Sequence, residues 1–214
     1  LLPEAQKRQV GSGTATPNAA IGLIGPGTGL GVSGLFPVGY QNKWIPIAGE
    51  GGHVSLTATT EHEFAAIQQL QKRYGHVSAE RVISGAGLVD LYHALCDLKD
   101  GQGREITTPA EVIERAQEVP TSTANEALDM FCGFLGSVAG DLALTLGARG
   151  GIYIGGGIVP RLAERFDASP FRERFEAKGR FKKYLQDVPT WVIHSPVSPA
   201  LQGASQALSL TQWQ

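Results

Sequence analysis

An α/β fold follows from three features of the sequence. Early in the chain, short runs of β-branched and aromatic residues are broken by glycine and proline and read as strands. Between about residues 61 and 147 apolar residues recur at helical spacing behind capping signatures. Then Gly150-Gly151-Ile152-Tyr153-Ile154-Gly155-Gly156-Gly157-Ile158-Val159-Pro160 runs a short buried strand into a glycine turn, and strand, glycine turn, helix is an α/β signature.

Taken in order, residues 11–18 read as a loop, and residues 19–24 and 31–38 as a hairpin. Residues 44–47 make a third strand in which Pro46 suits a sheet edge. Thr60 and Glu63 form a capping box for a helix over 61–74 that Gly75 stops. Ser78 is expected to cap a second helix from Ala79, interrupted at Gly85 and resumed over 88–95, after which 97–105 is a polar loop. Thr108, Pro109 and Glu111 occupy the N-cap, N1 and N3 positions of the next helix. Thr123 with Glu126 repeats the box and opens a long apolar helix through Phe131, Leu135, Val138, Leu142 and Leu146, whose glycines Gly133, Gly136 and Gly140 suit close helix packing. Ser169-Pro170 starts a helix that ends at Gly179, residues 191–194 form a last strand, and residues 199–210 a last helix.

Composition narrows the chemistry. Over 214 residues, 18 Lys and Arg face 20 Asp and Glu, with no long run of either sign. Nothing there suggests a nucleic-acid or membrane-surface partner, so a small-molecule ligand is expected. Cys96 and Cys132 lie far apart without metal-ligand spacing, which fits a reducing cytoplasm, buried apolar roles and no zinc. No apolar run reaches the roughly 20 residues of a membrane span, and the first residues lack the order of a signal peptide, so a soluble cytoplasmic protein is expected. Leu1 is not an initiator methionine, and the chain reads as the remainder of a longer one.

Four segments could carry chemistry. In Gly25-Pro26-Gly27-Thr28-Gly29-Leu30-Gly31, glycines let another group approach backbone N–H groups and Thr28 adds a hydroxyl, an arrangement that suits an anion. The same spelling suits an ordinary hairpin turn. Residues 29–34 also match a dinucleotide fingerprint, but that motif must open a helix and these residues read as a strand; no P-loop sequence occurs. In Gly49-Glu50-Gly51-Gly52-His53 a carboxylate and an imidazole offer the acceptors and donor that vicinal sugar hydroxyls need, although a polar surface loop would look alike. Glu80 falls where the first turn of a helix is expected, and a favourable macrodipole alone would explain it. The Gly155-Gly156-Gly157 turn could admit a flat nucleotide ring or merely close a strand.

In order, these segments, with His76-Val77-Ser78-Ala79-Glu80-Arg81-Val82-Ile83-Ser84-Gly85 around Glu80 and with Gly179-Arg180-Phe181-Lys182, strongly resemble the bacterial ATP-dependent glucokinases of the hexokinase, actin-like ATPase superfamily. The resemblance runs from about Ile21 to the C-terminus. It implies a ribonuclease-H-like large domain of a two-domain sugar kinase over 19–214, with a helical insertion about 61–147 and with 1–18 as a loop left from the interdomain connection. By this resemblance Gly25, Gly27, Thr28 and Gly29 face the phosphates of ATP, Gly155, Gly156 and Gly157 lie beside the adenosine, and Glu50, His53 and Glu80 hold hydroxyls of D-glucose. It further implies Mg²⁺ on the phosphates, with no metal ligand from this chain, and a homodimer.

Two departures qualify the resemblance. The family's first phosphate loop, Asp followed by Gly-Gly-Thr-Asn, and the Asn-Asp pair that supplies the general base have no match, so no catalytic residue is expected in this chain, and the chain alone is expected to be nearly inactive. The cysteine-rich zinc motif of repressor-type relatives is also missing, which points to the zinc-free branch. A sugar-binding or regulatory protein on the same fold is the alternative; a nicotinamide-dependent oxidoreductase would rest on residues 29–34 alone.

Overall fold

The computed structural model describes residues 2–39, 43–99, 101 and 104–194, so the helix expected over 199–210 lies outside the described residues. Strand β1 (Lys7–Val10) comes first, then the expected hairpin as β2 (Ile21–Pro26) and β3 (Leu30–Val38), then β4 (Lys43–Gly49). Helices α1 (Glu61–Tyr74), α2 (Gly85–Lys99), α3 (Pro109–Glu118) and α4 (Thr123–Leu146) lead to β5 (Ile152–Ile154). Four short helices, α5 (Val159–Leu162), α6 (Glu164–Asp167), α7 (Phe171–Glu176) and α8 (Lys182–Gln186), precede β6 (Thr190–Ile193).

These strands form one sheet in the order β1-β6-β5-β2-β3-β4. β5 runs parallel to both β2 and β6, whereas β1 against β6 and the β2-β3-β4 meander are antiparallel. Parallel neighbours need long crossovers, and here α1 to α4 make the first and α5 to α8 the second. β4 takes the edge, where Pro46, lacking an N–H, is tolerated.

Helix ends follow the capping chemistry. Thr60 Oγ1 accepts from the Glu63 N–H at 3.1 Å while the Glu63 carboxylate accepts from the Thr60 N–H at 3.2 Å, and Gly75, with φ +70°, ends α1. α3 opens on the same box at Thr108 and Glu111. The expected box at Thr123 is not what opens α4: Ser122 is the cap, its hydroxyl accepting from the Asn125 N–H at 3.2 Å, and Glu126 turns to His62 and Lys99. Ser122 and Thr123 are adjacent, and both have hydroxyls. The helix expected from Ala79 is also corrected. Residues 79–84 form turns, and α2 begins only at Gly85, because the Gly85 N–H, which would continue a helix by donating back to the Arg81 carbonyl, donates to the Gly27 carbonyl instead.

α4 is the centre of the core. Among the described residues it is the helix long and apolar enough to cross a membrane, yet most of it is buried inside the fold. Its glycines do pack closely. A Cβ at Gly136 would lie 2.2 Å from the Phe171 carbonyl oxygen and one at Gly140 2.6 Å from that of Phe175, so α7 rests against α4 backbone. Both cysteines are buried and free; burial raises the Cys96 thiol and pushes that of Cys132 up to about 12, which makes them inert fillers.

Residues 7–10 lay within the stretch read as an N-terminal loop. They form an edge strand instead, held by pairing with β6 and by the Thr190 hydroxyl donating to the Val10 carbonyl at 2.6 Å. Lys-Arg-Gln-Val has no apolar alternation to announce a strand; only the neighbouring backbone makes it one.

Candidate functional site

The glycine turns sit where an α/β sheet commonly takes its ligand, beyond the carboxyl ends of strands where the strand order reverses. Gly25 to Gly29 end β2 and Gly155 to Gly157 end its parallel neighbour β5. The Gly155 N–H donates to the Ile24 carbonyl at 2.8 Å. Gly156 has φ +80°, and a Cβ there would fall 2.0 Å from the Pro26 oxygen, so the two turns touch through a position only glycine can fill. Gly27 and Gly157 differ: a Cβ at either would meet nothing within 4 Å, and neither has positive φ. Neither backbone nor internal packing calls for glycine at those two positions, whereas a ligand pressed against the main chain would. Thr28 is exposed at the tip.

Glu50, His53 and Glu80 converge beside that turn. After β4 the chain makes a short 3-10 turn (Gly51–His53) that presses on β3: a Cβ at Gly52 would lie 2.3 Å from the Leu30 oxygen, and one at Gly51 2.8 Å from Val32 Cγ1. The glycines between Glu50 and His53 are therefore what lets both side chains stand over the start of β3. His53 Nε2 lies 3.8 Å from Glu50 Oε2, and His53 Nδ1 lies 3.9 Å from Glu80 Oε1. Those gaps are too long for hydrogen bonds and leave polar atoms available to a ligand. Side-chain exposure falls from 92 % at Glu50 through 60 % at His53 to 34 % at Glu80, giving the cluster an open and a recessed side.

Glu80 is held by two hydrogen bonds and leaves one oxygen toward His53. Its N–H donates to the Gly52 carbonyl at 2.8 Å, its Oε2 accepts from the Leu30 N–H at 2.8 Å, and its Oε1 faces His53. The local macrodipole role is thus excluded, since no helix begins there. Next to it, the Gly85 N–H at the start of α2 donates to the Gly27 carbonyl at 2.8 Å. Segment 78–85 is bound by main-chain hydrogen bonds to both 25–30 and 50–54. The link through Leu30 was not foreseen, and an apolar residue whose N–H matters leaves no signal in a sequence. Among the described residues no group of three or more His, Cys, Asp or Glu could hold a metal ion.

Known proteins resemble this chain along nearly its whole length. The family model described as glucokinase matches residues 1–211. A glucokinase of Chromobacterium violaceum is 51 % identical over 97 % of this chain and 59 % of its own length. The bifunctional protein glk of Paraburkholderia xenovorans is 49 % identical over 97 % of this chain and 32 % of its own. The chain therefore spans well under two thirds of these relatives. The solved glucokinase from an Antarctic psychrotroph superposes with a TM-score of 0.88 at 36 % identity, covering 98 % of this chain and 64 % of that one. A glucokinase from Balamuthia mandrillaris, solved in complex with glucose, shares the fold at a TM-score of 0.75 and 19 % identity, covering 90 % of this chain and 56 % of that one. Matched along nearly its whole length by the family model and by relatives at about half identity, with the mixed sheet of the actin-like sugar kinases, the chain belongs to the glucokinase family.

Proposed function

We propose that this chain is the large-domain part of an ATP-dependent glucokinase, which transfers the γ-phosphoryl group of ATP to the 6-hydroxyl of D-glucose and releases ADP and glucose 6-phosphate. The convergence of Glu50, His53 and Glu80 on the start of β3, directly beside the Gly25–Gly29 turn, carries the reading. Two carboxylates and an imidazole offer several acceptors and one donor to a ring of hydroxyls, while the turn offers glycine backbone to phosphate.

In that reading Glu50, His53 and Glu80 orient the sugar. Gly25, Gly27, Thr28 and Gly29 take the phosphates, and Gly155 to Gly157 line the adenosine; the open space at Gly27 and Gly157 fits such a ligand. Phosphoryl transfer depends chiefly on holding nucleophile and phosphorus in line in a dry, charge-stabilised site, so these residues contribute positioning. Mg²⁺ would arrive on the triphosphate and offset its charge; no residue of this chain is assigned to it. The proton of the 6-hydroxyl goes to an aspartate that the family carries upstream of the region matched here. Loss of a general base alone costs about 10² to 10⁴ in rate, so the chain by itself is expected to be nearly inactive. A cytoplasmic homodimer belongs to the same proposal and is checked by sedimentation.

The test is glucose 6-phosphate formation by the chain and by a version extended upstream with the corresponding segment of the Chromobacterium protein. Turnover by the extended version alone is expected, with His53→Ala in it raising KM for glucose at least about tenfold, the equivalent of one or two hydrogen bonds. A folded extended protein that binds glucose without turnover would leave a sugar-binding regulator instead.

A further inference from the structure

The Glu80 carboxylate divides its two oxygens between two jobs. Oε1 lies 3.9 Å from His53 Nδ1, on the side where Glu50 and His53 stand, while Oε2 accepts from the Leu30 N–H at 2.8 Å. Leu30 is the residue at which the glycine turn re-enters the sheet as β3. The approach is tight: a Cβ at Gly29 would lie 2.5 Å from that same Oε2. The turn and the Glu80 segment are joined a second time by the Gly85 N–H to the Gly27 carbonyl at 2.8 Å. The Leu30 carbonyl side meanwhile abuts Gly52, from the segment that carries Glu50 and His53.

From this we propose that Glu80 is a positioning residue for the Gly25–Gly29 turn as well as a ligand of the sugar, so that the two subsites are coupled through the Leu30 N–H. The proposal rests on the functional reading above and deepens it. Its physical content is simple. A glycine-dense turn has much conformational freedom to lose when an anion docks on it. One charge-assisted hydrogen bond at the turn's exit removes part of that freedom beforehand, as preorganisation does in general. A sugar that engages Oε1 fixes the same carboxylate and so tightens the same exit; by linkage, a phosphate ligand on the turn favours the sugar equally.

The experiment titrates the chain itself with D-glucose and, separately, with ADP, alone and with the other ligand present, by calorimetry. Four forms are compared: the unaltered chain, Glu80→Ala, Glu80→Gln and Gly29→Ala. Glu80→Ala should weaken ADP about tenfold although Glu80 is assigned no nucleotide contact. Glu80→Gln keeps an oxygen for the Leu30 N–H but not its charge, so it should weaken ADP clearly less than Glu80→Ala does while binding glucose more weakly. A purely structural loss would not produce that split. Gly29→Ala, whose new methyl displaces Oε2, should weaken glucose about tenfold although Gly29 is assigned no sugar contact. Since the displaced atom is the far end of a side chain and Gly29 has no positive φ, that variant should fold. If the unaltered chain binds both ligands but each substitution acts only on its own side, the coupling is overturned and the functional reading stands. If the unaltered chain fails to bind either one of the two ligands, the placing of both subsites in this chain fails and the coupling with it, while the kinase reading is still judged by turnover of the extended version.

Discussion

Glu63 shows how much one residue ties together. Almost fully buried, its carboxylate accepts from the Thr59 N–H at 2.7 Å and the Thr60 N–H at 3.2 Å, closing the cap of α1, and pairs with Arg174 of α7. Arg174 in turn donates to Ser137 Oγ on α4 at 2.9 Å, so three helices meet at one ion pair. Removing one partner of a buried pair strands the other, and Glu63→Ala is expected to cost about 3 to 5 kcal/mol in urea unfolding. Burial raises the Glu63 carboxyl, but the Arg174 and Thr59 donors outweigh it and hold the group below its ordinary value of 4.5. A depressed folded value means that the ionised pair stabilises fully above pH 4.5 and ceases to as pH falls through the lower folded value. Glu63→Gln should therefore be less stable than the unaltered chain at pH 7, with the gap narrowing below about pH 4; a gap that stays constant with pH would contradict the pairing. The sequence disclosed the capping box but not Arg174, since nothing at the level of spacing links positions 111 residues apart.

At the scale of an element, α4 separates two meanings of glycine. Gly136 carries no Cβ because the Phe171 carbonyl lies in its place, whereas a Cβ at Gly133 would have ordinary contact with Arg174 Nη1 at 3.5 Å. Alanine gains up to about 1 kcal/mol over glycine in a helix interior. Gly133→Ala should thus leave thermal stability unchanged or slightly raised, while Gly136→Ala should lose about 1 to 3 kcal/mol to overpacking. Equal effects would mean that α7 does not rest on α4 backbone. Periodicity and capping made α1, α3 and the body of α4 legible, because each reports a local interaction. Periodicity failed at residues 79–84, where helix-like letters yield to a long-range bond: the Gly85 N–H that would continue the helix is taken by the Gly27 carbonyl. The turn that results is what aims Glu80.

Across the whole molecule, the sheet order decides where chemistry can occur. β2 lies between β5 and β3, so both glycine turns open at one end of the sheet and the Glu50–His53 segment folds back beside them. The hairpin, the late strand with its glycine turn and the motif order were readable, as glycine and apolar runs are local signals. β1 was not, having no pattern of its own, and neither was the interlock through the Leu30 N–H, a backbone group. By the proposed function, Glu50, His53 and Glu80 grip glucose in this chain. Calorimetric titration of the unaltered chain and of His53→Ala with D-glucose tests it most directly. Saturable binding, weakened at least about tenfold by the substitution, is the expected result. No saturation, or an affinity indifferent to His53, would contradict it.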